Sequence, residues 1–376
     1  MKKKILIVDD SETSSMFLKM ALQNYDVNSV TSGREMWKLL ESEIPDLILM
    51  DIVMPEEDGY SLSQKLLLND QYKDIPIIFQ TTKNSSDDLE KAFDTGAVDY
   101  ISKPIDEKEL RARIKSALKI KELEKELNSA LTVIKQDLAV AAKIQNKIIP
   151  DDVQVRNGLV FYTKYLPMVE VGGDFYYITE IGSGITRIFL ADATGHGVQS
   201  ALITMLIKSE YENLAKRSES PSELLYHLNE TFINKYQVLK TFFSAFVVDV
   251  NINLNTLTYA SGGHPEQVLV SGKTNTIELL KKTGRLVGVV PETKYKEITM
   301  EFVKGDRLYI FTDGLYEEFN EKEEIYGEEE LFDILQNNNR NPIKQIIEFI
   351  LSDLKDFMGT RQQDDDITVI GLEIAP

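Results

Sequence analysis

The hydrophobic pattern changes character twice along this chain of 376 residues, and each change limits what the segment can become. Up to about residue 120, short apolar runs alternate with stretches of helical spacing. Ile5–Val8, Leu47–Met50, Ile75–Phe79 and Val98–Ile101 read as strands, and Thr13–Gln23, Arg34–Glu41, Tyr60–Leu68 and Asp87–Asp94 read as helices. Apolar runs without polar alternation suit strands covered on both faces. Strand–helix alternation of this kind implies a doubly wound parallel sheet, which binds ligands at the carboxyl ends of its strands.

From Asp106 the pattern is helical without an obvious break. Leu123, Leu127, Ala130, Ile134, Leu138 and Ala141 recur at spacings of four and three, a heptad-like seam. Lys121, Glu122, Glu124, Lys125 and Glu126 fill the other faces. A seam of this length favours a parallel two-stranded coiled coil, and so a homodimer, over a helix lying on its own domain. Pro150, followed by Asp151 and Asp152, stops the helix.

Beyond Pro150 strands dominate early. They read as Leu159–Tyr165, Phe175–Ile181, Thr186–Ala191, Ser244–Val250, Thr256–Ala260 and Glu266–Val270, with helices over Ser200–Ala215, Pro221–Lys235 and Pro342–Phe357. Polar turns such as Asn251-Ile-Asn-Leu-Asn255 suggest hairpins. Antiparallel sheets covered by helices, an α+β layered fold, accommodate that order. The expected organisation is therefore a doubly wound domain over 1–120, a helical coiled-coil linker over 121–150 and an α+β domain over 151–376.

Acidic and polar residues gather at the strand ends of the first segment. Asp9 and Asp10 follow Ile5–Val8, Asp51 follows Leu47–Met50, Thr81 follows Ile77-Ile-Phe-Gln80, and Lys103 follows the last run. Converging carboxylates repel one another, and a divalent cation that prefers oxygen relieves the repulsion. A carboxylate can also attack a phosphoryl donor, with a lysine and a hydroxyl stabilising the transferred charge. With Asp51 in Leu-Met-Asp-Ile-Val-Met-Pro, Thr81 in Phe-Gln-Thr-Thr and Lys103 in Ser-Lys-Pro, residues 1–120 resemble a response-regulator receiver domain, which has a flavodoxin-like fold. The resemblance implies Asp51 as phosphoacceptor and a magnesium ion held by Asp9, Asp10, Asp51 and the carbonyl of Val53. It also implies Thr81 and Lys103 as sensors of the phosphoryl group and Tyr100 as an aromatic switch. Thr82 departs from the small alanine common at its position.

The last segment has its own acids. Asp174 follows Val171-Gly-Gly173, Asp192 ends the run Arg187-Ile-Phe-Leu-Ala191, and Asp313 lies in Tyr309-Ile-Phe-Thr-Asp-Gly314. Asp364-Asp-Asp366 precede Ile367-Thr-Val-Ile370. Gly195 and Gly197 expose the backbone beside Asp192. Carboxylates brought together from such distances need cations, and two hard ions sharing them could activate water and clamp an in-line phosphoryl transfer. With no cysteine and three histidines, magnesium or manganese is favoured over zinc.

The ordered set Glu170-Val-Gly-Gly-Asp174-Phe-Tyr, Ala191-Asp-Ala-Thr-Gly-His-Gly197, Thr241-Phe-Phe, Ser261-Gly-Gly-His-Pro265, Gly305-Asp-Arg-Leu308, Thr312-Asp-Gly-Leu315 and Asp365-Asp-Ile-Thr368 resembles the PPM-type serine/threonine phosphatases of the bacterial SpoIIE/RsbU branch. The resemblance implies an αββα sandwich with two manganese or magnesium ions. Asp174 and Asp192 then become bridging or near-bridging ligands, the carbonyl of Ala193 a further ligand, and Asp313 and Asp365 complete the set. Asp365 is preferred to Asp364 and Asp366 from its place in the ordered match. Tyr177 stands where an acidic residue is frequent, and Thr194 where serine is common. His196 and His264 read as supporting residues rather than catalytic ones.

Together these readings describe a two-component response regulator whose output is a phosphoserine/phosphothreonine phosphatase, hydrolysing its substrate directly by water. The resemblance implies a sensor histidine kinase or phosphotransfer protein upstream, and a phosphorylated anti-sigma-factor antagonist as substrate in a partner-switching circuit. The alternative is a phosphorylation-gated binding protein with a non-catalytic phosphatase fold. An ATP-lid reading of Asp192–Gly197 lacks the Asn-bearing helix it would need. A net charge of −19 disfavours nucleic-acid binding, and no basic recognition helix follows the receiver segment. No run reaches membrane-spanning length, and Ile5–Val8 is too short for a signal sequence, so a cytoplasmic location is expected.

Overall fold

Apolar runs at the N-terminus become the inner strands of a parallel sheet. The computed structural model describes residues 2–82, 93–147, 153–193, 195, 197–215 and 217–375. They fall into two units, Met1–Ile134 and Lys135–Pro376. In the first, β1 (Lys4–Val8), β2 (Asp26–Val30), β3 (Leu47–Asp51), β4 (Ile77–Thr81) and β5 (Asp99–Ser102) pair in the order β2-β1-β3-β4-β5, all parallel.

Alternate side chains of each strand serve opposite faces of the sheet. Ile5, Ile7, Leu47, Leu49 and Ile78 pack on Leu18 of α1 (Glu12–Ala21) and on Leu110 and Ile114. Leu6, Val8, Ile48, Met50 and Phe79 pack on α2 (Gly33–Leu40) and α3 (Gly59–Leu67). Burial on both faces removes any need for polar alternation, which is why these strands were legible. β2 was not expected. It lies at the sheet edge with Val30 as its buried residue, so Asp-Val-Asn-Ser-Val carries no apolar run. The helix expected at Asp87–Asp94 falls mostly outside the described residues.

One continuous helix, α4 (Glu107–Asn146, 40 residues), covers the expected boundary at residue 120. Its first turns bury Leu110, Ile114 and Ala117 on the first sheet. Farther along, Ile120, Leu123, Leu127, Leu131 and Ile134 are exposed. The expected stop at Pro150 lies outside the described residues. Among the described residues no helix is long and apolar enough to cross a membrane.

The second unit stacks two antiparallel sheets. One contains β14 (Ile298–Glu301), β11 (Thr256–Gly262), β10 (Phe243–Asn251), β9 (Ile185–Ala193) and β8 (Asp174–Gly182), in that order. The other runs β13 (Ile277–Leu280), β12 (Gln267–Val270), β15 (Arg307–Phe311), β16 (Ile367–Ile374), β7 (Leu159–Leu166) and β6 (Val153–Arg156). Period-two alternation again assigns the faces. Tyr176, Ile178, Ile188 and Leu190 join Phe161, Leu308, Ile310 and Ile370 between the sheets. Phe175, Phe189 and Ala191 turn outward onto α5 (Val198–Leu214) and α6 (Pro221–Lys235). Tyr309, Phe311 and Val369 turn onto α7 (Glu328–Asn337) and α8 (Ile343–Met358). These are the αββα layers that the resemblance implied.

Local chemistry sets the helix starts. At α6, Ser220 accepts from Glu223 N at 3.3 Å, Glu223 accepts from Glu219 N at 2.6 Å, and Pro221 occupies the first turn. α7 and the short strands β6, β13 and β14 were not expected.

Candidate functional site

Parallel pairing brings the ends of β1, β3, β4 and β5 to one edge of the first sheet. Asp9 directly follows β1, and Asp51 closes β3. Asp9 is fully buried, its Oδ1 accepting from Ser11 N at 2.9 Å and its Oδ2 from Ser14 Oγ at 2.6 Å. Asp51 Oδ1 accepts from Val53 N at 3.1 Å. Lys103 Nζ lies 2.5 Å from Asp51 Oδ2 and 3.1 Å from Asp9 Oδ2. Burial pulls the Lys103 ammonium down, but the hydrogen bonds and charges of Asp51 and Asp9 outweigh it and hold it above the usual lysine range. Ligand oxygens of Asp9, Asp10 and Asp51 all come within 4.8 Å of one another, a set suited to a hard divalent cation. Thr81 is buried at the end of β4, and its carbonyl accepts from Lys103 N at 2.7 Å. Tyr100 is half-buried on β5, edge-on to Phe93 and under the Arg113 guanidinium at 5.4 Å.

In the second unit the acids come from both sheets. Asp174 opens β8 directly opposite Asp192 on β9. Opposed residues in such a ladder sit ~4.5–5.5 Å apart at Cβ, and like charges there repel. The other sheet answers with hydroxyls. Thr312, just past β15, and Thr368 on β16 both donate to Asp174 Oδ2, at 2.8 and 2.6 Å. Burial first, and the charge of Asp192 second, push the Asp174 carboxyl well above the usual range, against the Thr368 hydrogen bond. Asp192 is pushed up to about 7 by burial and then by the charges of Asp313, Asp365 and Asp366. Each of these influences opposes its ionisation, and divalent cations would reverse them. Among the described residues, three ligand atoms within 4.8 Å of one another occur only at Asp9, Asp10 and Asp51.

The backbone around these acids is tightly fixed. Ala193 N donates to Gly173 O at 3.0 Å. A Cβ on Gly173 would stand 2.6 Å from the Ala193 carbonyl oxygen, so only glycine permits that approach. Gly197 begins α5 at φ 76°, left-handed backbone that an L side chain resists. Thr194 and His196, between these glycines, lie outside the described residues.

The three consecutive acids have different surroundings. Asp364 meets the Arg361 guanidinium at 3.1 Å. Asp366 is buried and accepts from Met168 N at 2.7 Å and Gly173 N at 2.5 Å. Asp365 is exposed, accepts from Asp366 N at 2.7 Å and acts on Asp192. Buried Glu318 accepts from Asp364 N and Asp365 N at 3.0 and 3.1 Å and so fixes this loop.

His264 is fully buried and braces the two sheets. Its Nε2 faces the Phe311 carbonyl at 3.2 Å, so it must donate, and its Nδ1 then accepts from Ser244 Oγ at 2.6 Å. Burial drops the imidazole to about 3, opposed by the Phe311 hydrogen bond. Gln267 pairs with the same Phe311, accepting from its N–H at 2.5 Å and donating to its carbonyl at 3.1 Å. Sequence reasoning assigned no role to Thr312, Thr368, Glu318 or Gln267. The two threonines lay inside the motifs already quoted, adjacent to Asp313 or two residues past Asp366. Nothing marked Glu318 within the acidic stretch Glu317-Glu318.

Residues 182–375 match the family model for stage II sporulation protein E, SpoIIE, and residues 5–115 match the response regulator receiver domain. The first match begins inside β8 and leaves Asp174 outside it. The chain is similar to phosphoserine phosphatase RsbU of Bacillus subtilis (strain 168), 28% identical over 184 residues, 49% of this chain and 54% of that protein. It is similar to phosphoserine phosphatase RsbP of the same organism, 26% identical over 244 residues, 64% of this chain and 58% of that protein. The chain thus spans little more than half the length of these relatives. Among solved structures, the SiaA-PP2C domain of Pseudomonas aeruginosa is 26% identical with a TM-score of 0.59, covering 65% of this chain and 98% of that one.

Proposed function

The chain belongs to the SpoIIE family and carries a receiver domain ahead of that region, and from this premise we propose that it is a metal-dependent phosphoserine/phosphothreonine protein phosphatase controlled by phosphorylation of Asp51. The observation that carries the proposal is the meeting of acids from two sheets, Asp174 and Asp192 from one and Asp313 and Asp365 from the other, where burial first and the charges of Asp313, Asp365 and Asp366 second push Asp192 up to about 7.

Two manganese or magnesium ions held by Asp174, Asp192, Asp313, Asp365 and the Ala193 carbonyl would supply positive charge to the phosphoryl group and a nucleophile at neutral pH. The chain's own residues prepare that site. Thr312 and Thr368 hold the Asp174 carboxylate in one orientation. Asp366 ties Gly173, next to Asp174, to the start of β16. Glu318 holds the backbone that presents Asp365. His264 stays neutral and links β10 of one sheet to β15 of the other.

In the first unit, a carboxylate oxygen of Asp51 attacks phosphorus in a kinase or phosphotransfer donor, and the donor leaves with the bond's electron pair. Magnesium at Asp9, Asp10, Asp51 and the Val53 carbonyl would neutralise the added charge. Lys103, already on Asp51, pairs with the phosphoryl group, and Thr81 and Tyr100 respond. The exposed seam of α4, at Leu123, Leu127 and Ile134, supports a homodimer through residues 121–150, between a receiver over 1–120 and a phosphatase over 151–376. By analogy with the RsbU and RsbP phosphatases, the substrate is a phosphorylated anti-sigma-factor antagonist in a partner switch.

The test is turnover of a phosphomonoester by the purified chain with manganese or magnesium, with and without beryllofluoride as the phosphoryl mimic at Asp51. Activity that needs metal and changes with the mimic is the expected result. Absence of metal-dependent turnover on both the small ester and a phosphorylated antagonist would overturn the catalytic reading and leave the binding one.

A further inference from the structure

Gln145 lies in the last turn of α4, within the second unit, and is buried at 3% exposure. Its neighbours Lys143 and Ile144 are exposed, so the glutamine was turned inward against the usual preference of its type. Its Nε2 donates to the Gly172 carbonyl at 2.8 Å, and its Oε1 accepts from the N–H of the same Gly172 at 3.2 Å. Nε2 also stands 3.4 Å from Thr204 Oγ1 on α5, whose own hydrogen goes to the Ala201 carbonyl at 2.7 Å. A primary amide matches both main-chain groups of one residue, whereas a carboxylate can match only the N–H and an alkyl group neither.

Gly172 leads straight into the acid site. Gly173 N donates to Asp366, Gly173 O accepts from Ala193 N, and Asp174 follows. A Cβ at Gly172 would collide with the Asp366 carboxylate and the Tyr165 hydroxyl, so only glycine fits against them at this turn. We infer that Gln145 is a positioning residue of the phosphatase centre: by clamping both main-chain groups of Gly172, it fixes the turn that presents Asp174 and sets the approach of Gly173 to the Ala193 carbonyl. The inference rests on reading the second unit as a metal-dependent phosphatase.

The test uses the full chain with the first-unit acids neutralised (Asp9→Asn with Asp10→Asn), so that manganese binding reports the second unit alone. Gln145→Leu and Gln145→Glu are each compared with this parent by calorimetric manganese titration and by turnover of a phosphomonoester. Both substitutions raise the manganese dissociation constant and the half-saturating manganese concentration roughly 10–100-fold, the usual cost of removing an outer support of a metal ligand. At saturating manganese, KM for the ester stays within about twofold of the parent, since the lost contact orients ligands and does not bind substrate. If Gln145→Leu does not fold, Gln145→Glu, of equal volume, decides. Manganese affinity unchanged in a folded variant, whether or not turnover falls, overturns the inference. A parent that neither binds manganese nor turns over ester overturns instead the phosphatase reading on which it depends.

Discussion

In the first unit the gathered carboxylates have a cation among them, Lys103 within 3.1 Å of both Asp9 and Asp51. In the second, what meets Asp174 is two threonine hydroxyls, and what acts on Asp192 is burial and three more carboxylates. The first site is built on one parallel sheet, where each polar group directly follows or closes the strand that delivers it. The second joins positions 174, 192, 313 and 365 and exists only when two sheets close on each other. A built-in ammonium balances charge in advance. Hydroxyls and backbone amides orient a carboxylate without neutralising it, so on the proposed reading the second site depends on cations for its charge balance more than the first does.

The strongest way to break that contrast is to remove an acid from the second site. Asp192→Asn or Asp313→Asn should lower turnover at saturating manganese by about 10³-fold, equivalent to about 4 kcal/mol of transition-state stabilisation. Turnover within tenfold of the unmodified chain would mean that the repelling acids are a structural accident. The counterpart in the first unit, Asp51→Asn, should abolish the response to beryllofluoride, read as the ratio of turnover with and without the mimic.

The next largest effect concerns pH. Fully buried His264 has its imidazole dropped to about 3, from an ordinary value of 6.5. Above about 6.5 it is neutral in both folded and unfolded chains and adds no pH dependence. As pH falls below 6.5 the unfolded chain takes up a proton that the folded one refuses, so stability is lost until the folded value near 3 is reached. The slope starts at half its limit at pH 6.5 and approaches about 1.4 kcal/mol per pH unit, which gives roughly 2 kcal/mol between pH 6.5 and 4.5. Urea midpoints of the second unit at these two pH values should therefore separate, and His264→Gln should bring them closer. An equal separation in the variant would remove His264 as the cause.

Much of this contrast was visible in the chain itself, for a physical reason that differs between the units. Ile5–Val8 and Leu47–Met50 are buried on both faces, so composition alone marks them, and Asp9 and Asp51 follow at once. Asp174, Asp192, Asp313 and the 364–366 run each stood out as an acid at a strand end. What stayed hidden were the groups whose role depends on long-range closure. Thr368 meets Asp174 across 194 positions, and Gln145 meets Gly172 from the end of a helix read only as a seam. β2, β13 and β14 lie at sheet edges, where few side chains are buried and the apolar signal fades. Asp364, Asp365 and Asp366 are indistinguishable by type, and only their contacts and burial in the fold separate them.

A smaller effect sharpens the role of the hydroxyls. Thr368→Val keeps the shape but leaves Asp174 Oδ2 with Thr312 as its remaining hydroxyl donor. The lost hydrogen bond to a charged group should cost about 1.5–2 kcal/mol in the second unit's unfolding and raise the half-saturating manganese concentration about tenfold. A stability loss with manganese dependence unchanged would make the hydroxyl a packing device rather than an orienting one.

The smallest effect tests the other half of the contrast, and its sign is opposite. Lys103 Nζ stands beside the oxygens that a magnesium ion would use, so ammonium and ion repel each other and compete for the same charge. Lys103→Met removes the competitor while Ser11 N, Ser14 Oγ and Val53 N still hold Asp9 and Asp51 in place. Without magnesium the variant's first unit should be less stable, because the acids then face one another uncompensated. With magnesium the ion should bind more tightly, by about 1 kcal/mol or roughly fivefold. Trp37 on α2, the chain's single tryptophan, provides a fluorescence signal from the first unit for that titration. No comparable gain is expected in the second unit, where the leading influences on Asp174 and Asp192 among the described residues are burial, hydroxyls and other acids. Weaker magnesium binding in Lys103→Met would show that the ammonium prepares the oxygens for the ion, and the proposed difference between the two acidic sites would then be wrong.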